Sequence, residues 1–461
     1  MKASDLWRWN GTVGRAPYAL VGVLGFALKH NLERWVAGAL FDRPWSVFNY
    51  WTPTGHLLKL TALPDENPAF LLILLLLALP FIWVGMSMTV RRLRDLALPV
   101  WLSGVFFLPV VNLIFFLLLA VLPSHQTPPA ANARGWLDRM IPESDLGSVA
   151  LAILMTVPPG LLLVWFGASL LGSYGWGLFV GLPFCTGMAA ALFHAHRQPR
   201  SPLSCVSTAI SSVLLLGIGI LVTAIEGAVC LLMAMPIAVG LAALGGWMGY
   251  ILQRNRWEKK DLTSMLLVLL AASPALMGAE RAQAPVPRVF CASTTVEVDA
   301  PPEEVWRHVI AFPPLPEPSE LIFRVGLAYP MRAEMHGSGV GAERHCIFST
   351  GAFVEPITAW ETPRLLRFSV TENPEPMTEW SPWGHLDAPH LHGFLVSKQG
   401  QFLLTPLPGG RTRLEGTTWY QHGMWPASYW GIWSDAVIHR IHLRVLRHVK
   451  NLAEQTKRGP A

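Results

Sequence analysis

The hydrocarbon core of a bilayer is about 30 Å thick and offers no partner to a free backbone amide, so it is crossed by helices of roughly 20 apolar residues. Stretches of this kind dominate the first two-thirds of the sequence: residues 69–90, 98–122, 148–171, 175–195, 206–224 and 228–252. Two weaker ones are residues 17–40, interrupted by Lys29, His30, Glu33 and Arg34, and the short run 262–278. Seven or eight spans are expected. The composition agrees, with 52% hydrophobic and only 14% charged residues, against roughly 25% charged in soluble domains.

The formal charge of +5 does not signal nucleic acid, because the basic residues fall in short clusters beside apolar runs, as cytoplasmic loops require. Arg91, Arg92 and Arg94 form one such cluster and Arg254, Arg256, Lys259 and Lys260 another. Both should face the cytoplasm, yet five crossings between them would set them on opposite sides. One segment must fail to cross, either the Pro109 and Asn112 stretch or the Pro158-Pro159 stretch, or one loop breaks the rule. Lys259 and Lys260, the apolar Met265 to Leu276 and then Ala282-Gln283-Ala284 mimic a secretory signal, which sends the C-terminal third of the chain outward. Pro285 favours an uncleaved anchor. Cys185, Cys205, Cys230, Cys291 and Cys346 show no CxxC spacing, so neither a disulfide framework nor a zinc site is expected.

The opening Leu6-Trp7-Arg8-Trp9-Asn10-Gly11, then Gly14-Arg15-Ala16-Pro17-Tyr18, and later Arg91-Arg92-Leu93-Arg94-Asp95 with Trp101, resemble a small bacterial inner-membrane family of unknown function over residues 1–123. Arg94 stands where a histidine is usual. The resemblance implies a multi-pass protein of the bacterial inner membrane and supplies topology more than chemistry. Arg91, Arg92 and Asp95 read as an interfacial loop gripping lipid phosphates. Glu33 and Arg34 mark either a polar pathway or a helix lying in the headgroups. Glu226, isolated between apolar runs, is either a proton or ion site or a loop carboxylate, and its place where a helix pair must turn favours the second. No repeat or paired charge relay declares a transporter.

After Pro287 the pattern changes. Thr295 to Asp299 alternate as in a strand, and Pro301-Pro302-Glu303-Glu304 open a helix through Val305, Trp306 and Ile310. Four or five strands come next: 343–349 paired with 353–360 across Thr350-Gly351, then 365–371, and 401–407 returning through Pro408-Gly409-Gly410 into 411–420. From Ser428 to Ala453 the residues Trp433, Val437, Ile438, Ile441, Val445 and Val449 recur at helical spacing. The strand-helix opening from Thr295 to Trp306, the Leu407 to Thr412 hairpin and the final helix resemble the polyketide cyclase and lipid-transport superfamily. That superfamily has the START-like, SRPBCC helix-grip fold. The resemblance implies an α+β domain with a cavity between an antiparallel sheet and a long C-terminal helix that accepts a hydrophobic molecule, so with the apolar runs before it the expected fold is an α-helical polytopic membrane region followed by this domain. It names no ligand and no shared catalytic residue.

Strand alternation nominates the cavity wall. Arg344 shares a face with Cys346 and Phe348, and Glu355 shares one with Phe353 and Ile357, so the turn at Thr350-Gly351 brings both charges to one apolar side. They pair with each other or meet a ligand. Leu414, Gly416, Thr418 and Tyr420 alternate inward, with Gly416 leaving room, while Trp425, Trp430 and Trp433 either roof a cavity mouth or pack in the core. The candidate ligand-binding set is Arg344, Phe348, Glu355, Gly416, Thr418, Tyr420 and Trp433. No catalytic residue is nominated, and no cofactor or metal is expected. Ten of the fifteen histidines lie in this region. Asp435, His439 and His442 share a helix face at a spacing that can hold a metal, but Arg440 and Arg444 nearby mark a solvated face. His385, Asp387, His390 and His392 sit in a loop read as covering the pocket rather than as a metal centre, with proton transfer by one of its histidines as the alternative.

The organisation expected is a membrane segment 1–123, a loop 124–146, a second membrane block 147–278, a linker 279–287, a START-like ligand-binding domain 288–455 and a tail 456–461. The leading function is membrane-tethered binding, carriage or sensing of a lipid or polyketide-like molecule, with the domain outside the cytoplasm. The partners expected are that molecule and the bilayer. The alternatives are a cyclase, aromatase or hydrolase using the same cavity, and a transporter with a regulatory soluble domain.

Overall fold

The computed structural model describes residues 3–45, 47–50, 68–96, 98, 100–107, 111–122, 124, 141–254, 259–283, 287–382 and 384–458. The chain divides into two compact units, Met1–Ile225 with Ala234–Pro285, and Glu226–Met233 with Val286–Ala461.

In the first unit, α1 (Arg15–Phe41) precedes α2 (Pro68–Asp95), and α3 (Val111–Val121) precedes α4 (Asp145–Trp165), α5 (Leu182–His194) and α6 (Pro202–Val222). Then come α7 (Ala228–Arg254), whose first turns belong to the second unit, and α8 (Lys259–Gln283). Six helical segments among the described residues are long and apolar enough to cross a membrane: Leu72–Asp95, Asp145–Leu170, Gly177–His194, Pro202–Val222, Ala228–Arg254 and Met265–Ala282. Two expected spans are missing from this set. The α1 helix carries Lys29 and Glu33 mid-length, ion-paired at 2.6 Å. The 98–122 stretch is a short helix Val100–Phe107 followed by the 11-residue α3, which at 1.5 Å per residue reaches only about 16 Å. Pro109 lies outside the described residues, as does Arg256 of the second basic cluster. Among the described residues four such helices then lie between the two basic clusters, an even number that would set both on one side.

The Arg91, Arg92 and Asp95 cluster does not form a lipid-facing loop. It ends α2, with Arg91 9% and Arg92 0% exposed. Arg92 donates to the carbonyls of Leu119, at 2.9 Å, and Leu122 and pairs with Asp95, while Arg91 donates to the Asp5 carbonyl at 2.7 Å. These arginines satisfy the carbonyls that a helix C-terminus and two chain turns leave open.

The second unit is a seven-stranded antiparallel sheet in the order β1-β9-β8-β5-β4-β3-β2. Its strands are β1 (Val289–Val298), β2 (Pro330–His336), β3 (Glu343–Phe348), β4 (Gly351–Glu361), β5 (Leu365–Ser369), β8 (Leu395–Leu407) and β9 (Arg411–His422). A two-stranded ribbon, β6 (Glu379–Ser381) and β7 (Gly384–Leu386), stands apart from it. The β8-β9 hairpin turns at Gly409 and Gly410, both left-handed at φ +82° and +71°, which only glycine adopts without strain. Between β1 and β2 lie α9 (Pro302–Ile310) and the single turn α10 (Leu321–Arg324). In α9, Glu303 and Glu304 occupy the first turn and Arg307 and His308 the last, each charge complementing the helix dipole. The 32-residue α11 (Ala427–Arg458) packs its stripe against the sheet. Val445, Leu446, Val449 and Ala453 join Leu366, Leu404, Leu414, Ile357, Val305 and Trp306 in one core.

Candidate ligand cavity and a buried ionisable cluster

A cavity of about 100 Å³ lies between α11 and the middle of the sheet, on one side Phe348, Phe353, Phe368 and Phe402 and on the other Ile438, Ile441 and Val445. It is small. For comparison, an apolar void of roughly 150 Å³ takes up benzene.

The sheet register explains its polar end. Arg344 of β3 stands directly opposite Glu355 of β4, and alternation turns both inward. They form a buried ion pair, with Arg344 1% and Glu355 6% exposed. Arg344 Nε also donates to the Ile310 carbonyl at 3.3 Å, and the guanidinium carbon lies 5.5–5.6 Å from the rings of Phe312, Phe368 and Phe402. Its Nη2 is buried with no hydrogen-bond partner. Burial opposes both charges. It holds the Glu355 carboxyl above its ordinary range even beside the cation, whereas for Arg344 the pull of Glu355 and Cys346 outweighs it. Burial pushes the Cys346 thiol in the same wall up to about 12, so it is a poor nucleophile at neutral pH.

Gly416 and Thr418 line the cavity from β9, and Gln399 and Gln401 from β8. A Cβ at 416 would sit 3.5 Å from Leu446, in ordinary contact, so this glycine contributes open space. Thr418 Oγ1 is 2.8 Å from Nε2 of His442, whose Nδ1 is 3.1 Å from Thr294 Oγ1. Burial and the neighbouring His439 pull His442 down to about 4, leaving a neutral ring with a hydroxyl on each nitrogen. Two of the nominated residues are not in the wall. Tyr420 is fully buried, donates to Asp435 Oδ1 at 2.7 Å and stacks on Phe290; Trp433 is half-buried near the start of α11. Both lie too early on α11, or too far along β9, to reach the void. Asp435, His439 and His442 thus spend their hydrogen bonds on Tyr420, Thr294 and Thr418.

The His385–His392 loop does not line this cavity. His392 pairs with Asp387 at 2.5 Å on the surface, but His390 is 2% exposed and lies between two carboxylates. Its Nδ1 is 2.8 Å from Glu226 and its Nε2 3.3 Å from Glu379. Burial lowers its pKa, but the two hydrogen-bonded carboxylates more than offset this and push it up to about 9. Glu226, expected as a loop carboxylate, is 4% exposed, and Glu379 0%. Glu379 accepts from the amides of Val229, at 3.1 Å, and Cys230, at 2.8 Å, capping the start of α7. In the sequence Glu226 and His390 stand out only singly. Glu379 carries no signal at all.

Comparison with known proteins recognises the N-terminal part. Residues 6–130 match the family described as protein of unknown function (DUF805). No curated protein matches the chain. Among solved structures, a protein of Nitrosospira multiformis is 18% identical over 37% of this chain and 99% of its own, with a TM-score of 0.24. A point mutant of norcoclaurine synthase from Thalictrum flavum, in complex with a transition-state analogue, is 12% identical over 38% of this chain and 99% of its own, at 0.26. The ZhuI aromatase/cyclase of a Streptomyces species is 17% identical over 37% and 98%, at 0.23.

Proposed function

We propose that the second unit binds a small hydrophobic molecule bearing one hydrogen-bond acceptor, a carbonyl or hydroxyl oxygen, and that the apolar helices hold this unit at a bacterial inner membrane. The observation that carries the reading is the unpartnered Nη2 of Arg344 in a wall it shares with Phe348, Phe353, Phe368, Phe402, Ile438 and Ile441. A buried donor without a partner costs about 1–3 kcal/mol, and an acceptor on the ligand recovers it. Binding is favoured over catalysis because the cavity's one thiol, Cys346, is held protonated.

The unit's place is extracytoplasmic. Both basic clusters belong on the cytoplasmic side, and Met265–Ala282 makes one further crossing after the second of them. The other route agrees, because α7 starts within this unit and ends at Arg254, the first residue of that cluster.

The test compares cyclobutanone with methylenecyclobutane, near in shape and both smaller than benzene to suit a void of about 100 Å³, titrated into the full chain in nanodiscs with detection by ligand-observed NMR. A hydrogen bond to a charged donor, at ~1.5–3 kcal/mol, predicts at least about tenfold tighter binding of the ketone, lost in Arg344→Met. Equal affinities in the wild-type protein would refute the reading.

A further inference from the structure

We infer that Glu226, Cys230 and His390 form a site for a thiophilic divalent cation of the zinc class, with Glu379 as the positioning residue for His390. The three side chains can each offer one ligand atom, and those atoms lie within 4.8 Å of one another. All three are buried, at 4%, 5% and 2% exposure, and all belong to one compact unit. A thiolate, an imidazole and a carboxylate are a donor set that suits zinc and disfavours calcium or magnesium, which take oxygen.

The surroundings are built for such a site. Metal-bound imidazoles usually donate their second N–H to a carboxylate, which fixes ring and tautomer. Here Nε2 of His390 faces Glu379 at 3.3 Å, leaving Nδ1 directed to Glu226. Glu379 is itself fixed by the amides of Val229 and Cys230. It comes so close to the chain at Gly227 that a Cβ there would overlap its carboxylate. Cys230 thus sits in the first turn of α7, one turn beyond Glu226, locked by the same carboxylate that orients the histidine. Binding displaces the thiol proton of Cys230 and the Nδ1 proton of His390 to solvent. Three protein ligands leave a fourth position for water or another ligand.

The experiment purifies the full chain in detergent, measures zinc by mass spectrometry, and records X-ray absorption at the zinc edge and the optical spectrum of a cobalt-exchanged sample. The inference predicts about one zinc per chain, a shell with one sulfur at ~2.3 Å and nitrogen or oxygen at ~2.0–2.2 Å, and a sulfur-to-cobalt charge-transfer band. The band disappears in Cys230→Ser and persists in Cys291→Ser. Absence of zinc, a shell without sulfur or with several, or a band that survives Cys230→Ser overturns the site. The edge spectrum of the wild-type protein decides the matter even where a variant does not fold.

Discussion

Replacing Glu355 by glutamine removes one charge from a pair that water does not reach. The Arg344 guanidinium, 1% exposed, then remains as a cation without a counter-ion, for which breaking a buried pair costs about 3–5 kcal/mol. The low end applies, because the introduced amide can still accept a hydrogen bond, the Ile310 carbonyl still faces Nε at 3.3 Å, and three phenyl rings still surround the guanidinium at 5.5–5.6 Å. The expected loss is therefore about 3 kcal/mol in the stability of the sheet. Hydrogen exchange with mass spectrometry on β3 and β4 in the full chain isolates this from the membrane helices, and at ~1.4 kcal/mol per tenfold the amides should exchange about 100-fold faster. Arg344→Met with Glu355→Leu removes both charges and should return protection to within ~1 kcal/mol of wild type. Unchanged exchange in Glu355→Gln, or a double variant as unprotected as the single one, refutes the reasoning.

Three further outcomes are expected from the geometry. Gly416→Ala, whose Cβ makes only ordinary contacts, should leave the unit as stable or up to ~1 kcal/mol more stable, whereas Gly400→Ala drives a Cβ to 2.5 Å from the Phe368 ring and should cost ~1–3 kcal/mol; equal exchange protection in the two variants contradicts this. Since His442 titrates near 6.5 when unfolded and about 4 when folded, its neutral ring contributes stability that is whole above pH 6.5 and lost as pH falls to 4, about 3 kcal/mol in all at ~1.4 kcal/mol per pH unit. The acid-induced fall in melting midpoint should accordingly shrink in His442→Gln, and an undiminished fall contradicts the assignment. Cys291 is exposed while the four other cysteines are buried, so a membrane-impermeant maleimide should label it on intact cells; labelling only after lysis would put the unit in the cytoplasm.

How far the sequence can be read depends on whether the signal is local. Alternation from Thr295 to Asp299, Pro302 at a helix start and the Pro408-Gly409-Gly410 turn are local, and each marks a true element. The Arg344 and Glu355 partnership is nearly local too, because one tight turn fixes the register that sets them opposite each other. By contrast β2 is invisible in the sequence, since Pro330 to His336 carries no clean alternation and pairs as an edge strand. The start of β8 escapes for a different reason: Ser397, Lys398 and Gln399 look like a loop, although Ser397 and Gln399 line the cavity. The apolar stretch 98–122 misleads because hydropathy registers apolar length and not helix length: its described helices are Val100–Phe107 and the 11-residue Val111–Val121. Most distant from local reading is the Glu226, Cys230, Glu379 and His390 cluster, whose partners are about 150 residues apart and meet only through tertiary packing.

The binding reading is met most directly by native mass spectrometry of the detergent-solubilised full chain and of Gly416→Trp, which fills the void between β9 and α11. The wild-type protein should carry a small hydrophobic adduct, at one per chain, that the variant lacks while retaining its bound lipids. The same adducts in both proteins, or none in the wild type, would contradict a ligand in this cavity.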